Sequence, residues 1–311
     1  MAFKLVGIGE VLWDLLPDGR QLGGAPANFA YHARALGSEA RIISRVGTDA
    51  NGRDILEQLR TLGVPTDCIE LDADAPTGTV GVELASDGQP RFTIHEDVAW
   101  DRITGEGAGR RAVAEADAVC FGTLAQRSET SRRAIRTLLQ TASPASLRIL
   151  DVNLRQHFYS PELIAESLAL ANVLKVNDTE LPRLAEMFRL TGDVRSQISQ
   201  LVGRHPLRGV ALTRGGRGSL LFADGRWSDH PGTPTKVVDT VGAGDSFTAA
   251  MTLGLLAGWD LDQVNARANE IAAYVCSFPG ATPPLPVHLR EPFDLSKAHA
   301  VGRRYEYPET D

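Results

Sequence analysis

The chain predicts an α/β fold in which a mostly parallel sheet lies between helices, with a separate β-hairpin beside it. Three observations carry that expectation. Short apolar runs alternate with amphipathic stretches along the 311 residues, as strands buried between helical layers require. One turn-rich hairpin pattern, at 79–95, breaks the alternation. A glycine turn at 242–244 separates the end of an extended segment from a long run of small and apolar residues, which sets a helix N-terminus at a sheet edge.

Taken in order, the opening Phe3-Lys-Leu-Val-Gly-Ile-Gly9 is a buried-strand pattern and gives a strand at 4–8. Further apolar runs predict strands at 41–46, 118–121, 147–152, 173–176, 210–213 and 219–222. Helical periodicity predicts helices at 27–36, 49–62, 128–141, 161–170, 178–188, 195–203, 245–257 and 261–277. The first of these is opened by Pro26, whose fixed φ suits a first helical turn. The hairpin has arms at 79–84 and 91–95, joined by Ala85-Ser-Asp-Gly-Gln-Pro90, and the alternative to a separate element is a hairpin that extends the main sheet. The C-terminal 303–311 is polar and expected to be peripheral, and no internal repeat or low-complexity segment interrupts the chain.

Composition excludes several classes. At 43% hydrophobic and 23% charged the chain is an ordinary globular one. Its net charge of -7 and lack of a basic cluster leave no footprint for nucleic acid or an anionic membrane. Cys68, Cys120 and Cys276 are widely spaced and read as reduced packing residues, and the seven histidines lack zinc-ligand spacing. No apolar run approaches the roughly 20 residues that span a bilayer, and the first residues do not read as a signal peptide. A cytoplasmic location is expected.

The chemistry concentrates where glycines meet carboxylates. In Asp239-Thr-Val-Gly-Ala-Gly-Asp245, Gly242 and Gly244 let backbone N–H groups approach an anion, and the helix start favours negative charge. Asp245 then stands beside the anion hole, ready to accept a proton from a hydroxyl. The plainer alternative is a tight turn with an acidic residue in the first helical turn. In Gly23-Gly24-Ala25-Pro26-Ala27-Asn28-Phe29-Ala30, the glycines admit a small polar ligand and Asn28 offers both donor and acceptor; the alternative is a glycine turn with an Asn cap. No Gly-Lys-Ser/Thr loop, Gly-x-Gly-x-x-Gly turn or His-Arg-Asp loop is present, which argues against P-loop, dehydrogenase and protein-kinase readings.

The glycine elements at 239–245 and 23–30, the latter followed by Gly37 and Gly47, resemble the C-terminal and N-terminal signatures of the ribokinase-like (PfkB) carbohydrate kinases in residue type, spacing and order. The resemblance covers essentially the whole chain. It implies a ribokinase-like three-layer sandwich spanning 1–311 as one domain, with a mostly parallel central sheet and a small β-sheet lid from about 10–22 and 76–100. It implies an ATP-dependent sugar kinase in which Asp245 is the base and Gly242, Ala243 and Gly244 line the anion hole. The sugar would lie against Asp14, Gly23, Gly24, Asn28 and Asp245, under a lid whose edge pairs with a second subunit in a homodimer.

Other elements of the resemblance are weaker by themselves. Asn177-Asp-Thr-Glu180 resembles an Asn-x-x-Glu element near Mg²⁺, acting through water, and the nucleotide phosphates; the same residues also fit a capping box. Thr213-Arg-Gly215-Gly216-Arg-Gly218 resembles the nucleotide-side turn, and Gly280 lies in a segment that borders adenine, with Gly244 shared between nucleotide and anion hole. A monovalent cation, K⁺, would take backbone oxygens at Asp239 and Val241, although Pro284 replaces a Ser often found nearby and counts against it. Asp151-Val-Asn-Leu-Arg155 resembles an Asp-x-Asn-x-Arg element; Arg155 fits a phosphoryl oxygen, a substrate carboxylate or an ion pair with Asp151.

The expected acceptor is fructose. The Gly-Glu-Val-Leu-Trp-Asp14 opening, the Gly-Gly-Ala-Pro-Ala-Asn28 turn and His95-Glu-Asp-Val-Ala-Trp100-Asp look like bacterial fructokinases. Trp100 would give the sugar a flat apolar surface or simply pack in the lid. The alternatives are 2-keto-3-deoxygluconate, ribose or a nucleoside, and, outside the enzymes, an inactive sugar- or nucleotide-binding regulator. The intact Asp245 and glycines oppose the last.

Overall fold

The computed structural model describes residues 2–17, 19–84 and 90–294. The hairpin turn at 85–89 and the polar terminus at 303–311 lie outside the described residues. The first half runs β1 (Lys4–Ile8), β2 (Leu12–Leu16), β3 (Gly19–Gly23), α1 (Ala25–Ala35), β4 (Glu39–Gly47), α2 (Ala50–Thr61), β5 (Ile69–Asp72), β6 (Thr79–Leu84), β7 (Pro90–Ile94), α3 (Ala108–Ala114) and β8 (Ala118–Gly122). It continues with α4 (Glu129–Thr141), β9 (Leu147–Asp151), α5 (Pro161–Leu170), β10 (Val173–Asn177), α6 (Glu180–Phe188), α7 (Val194–Arg204) and β11 (Gly209–Thr213). β12 (Ser219–Ala223), β13 (Arg226–His230), α8 (Ala243–Leu256) and α9 (Leu261–Cys276) follow.

Among the described residues the large sheet has nine strands in the order β13-β12-β11-β10-β9-β8-β1-β4-β5. All its neighbours are parallel except β11 with β12 and β12 with β13. Alternate residues of its strands feed two separate cores. Val6, Ile43, Phe121, Leu174 and Leu212 pack with Ile135 of α4, Ile164 of α5, Leu184 of α6 and Ile198 of α7. Leu5, Ile42, Cys120, Ile149 and Ala211 pack with Phe29 of α1, Ile55 of α2, Phe247 of α8 and Ile271 of α9. Strands covered on both faces are apolar almost throughout, which is why they were readable as runs. The result is a three-layer sandwich.

The strand order reverses at β1, with β4 on one side and β8 on the other. In open α/β sheets that reversal leaves a crevice at the C-terminal strand ends.

The hairpin does not extend the large sheet. β3, β2, β6 and β7 form a second sheet in that order, with β2 parallel to β6 and the other pairs antiparallel. Trp13 of β2 fastens this sheet to α2: its Nε1 donates to the Asn51 carbonyl at 3.1 Å, and the Arg20 guanidinium covers its ring at 4.4 Å.

Trp100 differs from one of its two expected roles. It is 0% exposed and belongs to the core under α4, so it offers no open face to a sugar. The Arg127 guanidinium stacks over its ring at 3.9 Å and is held there by Asp101 at 2.8 Å. Trp100→Ala should therefore cost about 3–5 kcal/mol of folding stability, as deleting a buried aromatic does. Denaturant unfolding measures this, and a loss below about 1 kcal/mol would contradict the packing.

Candidate active site

Two helices begin at the same place. α1 follows Gly24, whose φ is 110 and whose missing Cβ leaves room for the Glu10 carbonyl after β1. α8 follows Gly242, whose φ is 77; a Cβ there would stand 2.5 Å from the Ala281 carbonyl oxygen. Asp239 secures the approach to α8: one carboxylate oxygen accepts the Val241 N–H at 3.0 Å and the other the Gly280 N–H at 2.9 Å. α1 holds the other side of this loop, with Tyr31 Oη donating to the Pro283 carbonyl at 3.1 Å and His32 Nε2 at 2.8 Å from the Ala281 oxygen.

Asp245 lies in the first turn of α8, and its Oδ2 accepts a hydrogen bond from Asn28 Nδ2 of α1 at 2.8 Å. Asn28 is within α1, not at its cap, and its own Oδ1 is buried without a partner among the described residues. Burial and the neighbouring Asp151 push the Asp245 carboxyl up to about 6, against the pull of Asn28, Lys175 and Arg155. At neutral pH it is mostly ionised, yet close enough to 7 to accept a proton usefully.

Asp14 is part of β2, not a turn after β1, and its carboxylate covers Gly23 of the paired strand β3. Burial raises it to about 6, with Arg155 opposing. Glu10, which carries no role in the Gly-Glu-Val-Leu-Trp-Asp14 element, is 4% exposed, and its Oε2 has no partner among the described residues. Burial lifts it to about 7, against its own backbone, Arg155 and the Ala25 N–H. The exposed Arg155 thus lowers all three carboxyls, Glu10, Asp14 and Asp245. Asp151 is paired instead with Lys175, also missed from sequence, at 3.1 Å.

The nucleotide-side expectations also converge. Thr213 accepts the Asp178 N–H at 2.9 Å, and Arg217 in the Gly215–Arg217 turn reaches Asp178 at 2.6 Å, so the glycine turn ending at Gly218 is tied to the Asn177 loop. Asn177 Oδ1 accepts from the N–H groups of Thr179 and Glu180, both at 2.9 Å, while Glu180 accepts the N–H of Asn177 at 2.9 Å and of Leu154 at 3.0 Å. That is the reciprocal exchange of a capping box. Asn177 Oδ1 also accepts from Thr179 Oγ1 at 2.7 Å and has no acceptor site to spare, whereas each Glu180 oxygen accepts a single N–H, which leaves the carboxylate able to accept from a water held by Mg²⁺.

A helix start, an ionised carboxylate in its first turn and an amide from a second helix meet at one point, an arrangement that can accept a proton next to a bound anion. The chain matches the family model described as pfkB family carbohydrate kinase over residues 19–288. It is 32% identical to a fructokinase of Klebsiella pneumoniae over 86% of this chain and 90% of that protein. An uncharacterized sugar kinase of Pyrococcus horikoshii, solved in complex with ATP, is 30% identical and superimposes with a TM-score of 0.77 over 89% of this chain and 94% of that one. A fructokinase of Xylella fastidiosa with bound ATP shares the fold at 19% identity, with a TM-score of 0.80 over 95% of this chain and 99% of that one. The chain belongs to the PfkB family of carbohydrate kinases.

Glu10 gives a pH prediction. Its carboxyl is raised from the ordinary 4.5 to about 7, so the stability it contributes is complete below 4.5 and is lost as pH rises through about 7. Glu10→Gln cannot ionise, so at pH 8 it should be more stable than the parent by on the order of 2–3 kcal/mol and should match it near pH 4.5. Thermal melts across this range decide it; parallel curves for the two proteins would show that Glu10 does not titrate as stated.

Proposed function

We propose that the protein transfers the γ-phosphoryl group of ATP to a primary hydroxyl of a free ketohexose, with fructose the best acceptor. The observation that carries this reading is the 2.8 Å bond between Asn28 and Asp245, which joins the sugar-side element to the carboxylate beside the anion hole. The sugar would lie between Asp14, Gly24 and Asn28, beneath the small sheet acting as a lid. Asp245 takes the proton of the hydroxyl as transfer begins, and backbone N–H groups from Gly242 to Asp245 face the phosphoryl oxygens. ATP enters from the Gly216 and Gly280 side; the ATP complex of the Pyrococcus relative supports a nucleotide site in this fold. Glu180 would hold a water of Mg²⁺, which neutralises phosphate charge when bound, and the Asn177 side-chain amide N–H groups would face the phosphates.

Fructose is supported by the 32% identity to the Klebsiella fructokinase. A second reading has one observation in its favour. Arg155 is exposed beside Asp14 and Asp245, where a guanidinium suits the carboxylate of a keto-deoxy sugar acid.

Asp245→Asn should leave ATP and sugar affinities within about threefold while lowering kcat by roughly 10²–10⁴. Isothermal titration together with initial rates tests this, and an unchanged kcat would remove Asp245 as the base. The substrate assignment rests on kcat/KM for fructose, ribose, adenosine and 2-keto-3-deoxygluconate, measured with ATP in Mg²⁺ and again in EDTA. Fructose should lead, with activity lost in the chelator. A tenfold advantage for another acceptor, about 1.4 kcal/mol of transition-state preference, would reassign the enzyme.

A further inference from the structure

Lys175 on β10 is 6% exposed, and its Nζ lies 3.1 Å from Asp151 Oδ1 on the adjacent strand β9. The two residues are direct partners in the parallel register, so their side chains leave the sheet on one face. α8 covers that face. A Cβ at Gly244 would stand 2.9 Å from Lys175 Nζ, and Thr248 Oγ1, one turn further, lies 3.4 Å from Asp151 Oδ2. Gly244 has no left-handed φ. A side chain there would require the ammonium to shift. The buried cation thus lies directly beneath the helix start, next to Asp245.

Such a pair is an uncertain source of stability, because the desolvation of both ions offsets their attraction. Its placement is more informative. Asp245 is surrounded by Glu10 after β1, the Asn28 amide on α1, the Cys120 thiol on β8, Asp151 on β9, Arg155 in the loop after β9, and Lys175 on β10. Asp151 favours the protonated form of Asp245, while Lys175 and Arg155 favour the ionised form. Lys175 itself also faces Glu180, which with Asp151 and Asp245 keeps it charged despite its burial.

We propose that Lys175 is a positioning residue for phosphoryl transfer: held by Asp151 beneath Gly244, its ammonium supplies a fixed positive charge under the anion-binding turn that carries Asp245. The inference rests on the phosphoryl-transfer reading of the site. Lys175 acts through the first turn of α8 and does not touch the substrate. A charge already in place needs no reorganisation as negative charge develops on the transferring group.

The test uses the full chain with Lys175→Met, Asp151→Asn and the double variant. Lys175→Met should lower kcat roughly 10–100-fold, leave both KM values within about threefold, and move the acid limb of kcat/KM to higher pH. Asp151→Asn should move that limb to lower pH, because it removes the charge that favours protonation of Asp245. The double variant should regain the melting temperature lost with Lys175→Met, since no lone carboxylate stays buried, but not its kcat. Wild-type kcat in the double variant, or limbs displaced in the same direction, would make the pair purely structural. If Lys175→Met fails to fold, the double variant carries the comparison.

The titration of Asp245, followed by ¹³C-aspartate NMR with Asp245→Asn for assignment, gives a readout without turnover. Opposite displacements in the two single variants would support the inference even if the protein phosphorylates none of the acceptors, a result that would overturn only the proposed function. Absence of any displacement would overturn the role of Lys175.

Discussion

The hydrogen bond between Asn28 and Asp245 spans 217 residues of sequence, and the architecture around it brings its two ends together. For it to form, α1 must start against the end of β1 and α8 must start against α1. Both starts need a close approach of backbone to backbone: Gly24 against the Glu10 carbonyl and Gly242 against the Ala281 carbonyl. A side chain at either would push one helix away from the other, and a small displacement at a reacting centre is costly in rate. The loop from Asp239 and the segment at 280–283 are then fixed by hydrogen bonds to Asp239, Tyr31 and His32. One helix pair thus sets the Asn28 amide, the Asp245 carboxylate and the segment at 280–283 together.

The electrostatics follow from the same crowding. The C-terminal ends of β1 and β9, together with β2 and α8, bring Glu10, Asp14 and Asp245 within the field of Arg155 and Asp151 within that of Asp245. Burial is the largest influence raising Glu10, Asp14 and Asp245. Lys175 from below and Arg155 from the loop side are the opposing charges. The balance leaves Asp245 near 6, high for an aspartate and still ionised at neutral pH. With too few cations the carboxyl would be protonated and unable to accept a proton; with too many it would be a weak base.

Much of the fold was legible because strands buried on both faces must be apolar. β1, β8, β9, β10 and β11 stood out for that reason. β5 (Ile69–Asp72) and β13 (Arg226–His230) did not: each is an edge strand carrying charged residues, so its pattern resembles a polar loop. β2 and β3 were expected only through the family's lid, and α3, at seven residues, is too short for periodicity to declare. α8 begins at Ala243, two residues before its expected start, because the left-handed Gly242 serves as its cap. In the site, glycines and a carboxylate adjacent in sequence could be read directly. Glu10 and Lys175 could not, since their significance depends on burial against other strands. One signal was available: a lysine inside Val173-Leu-Lys-Val-Asn177, a strand of a parallel sheet, needs a buried partner. Trp100 shows the reverse problem, because an aromatic near a lid looks the same in sequence whether it packs inward or faces a ligand.

Asn177 and Glu180 presented a choice between a capping box and a metal shell; the capping exchange is present, and it uses up the Asn177 oxygen but not those of Glu180. Each Glu180 oxygen accepts one backbone N–H, and a carboxylate oxygen has a second acceptor site. The capping bonds fix the carboxylate in place and leave capacity for a metal-bound water. Burial drives Glu180 toward protonation, and Lys175 opposes it. Lys175 also bears on Asp151 and Asp245, so the three acids share one buried cation.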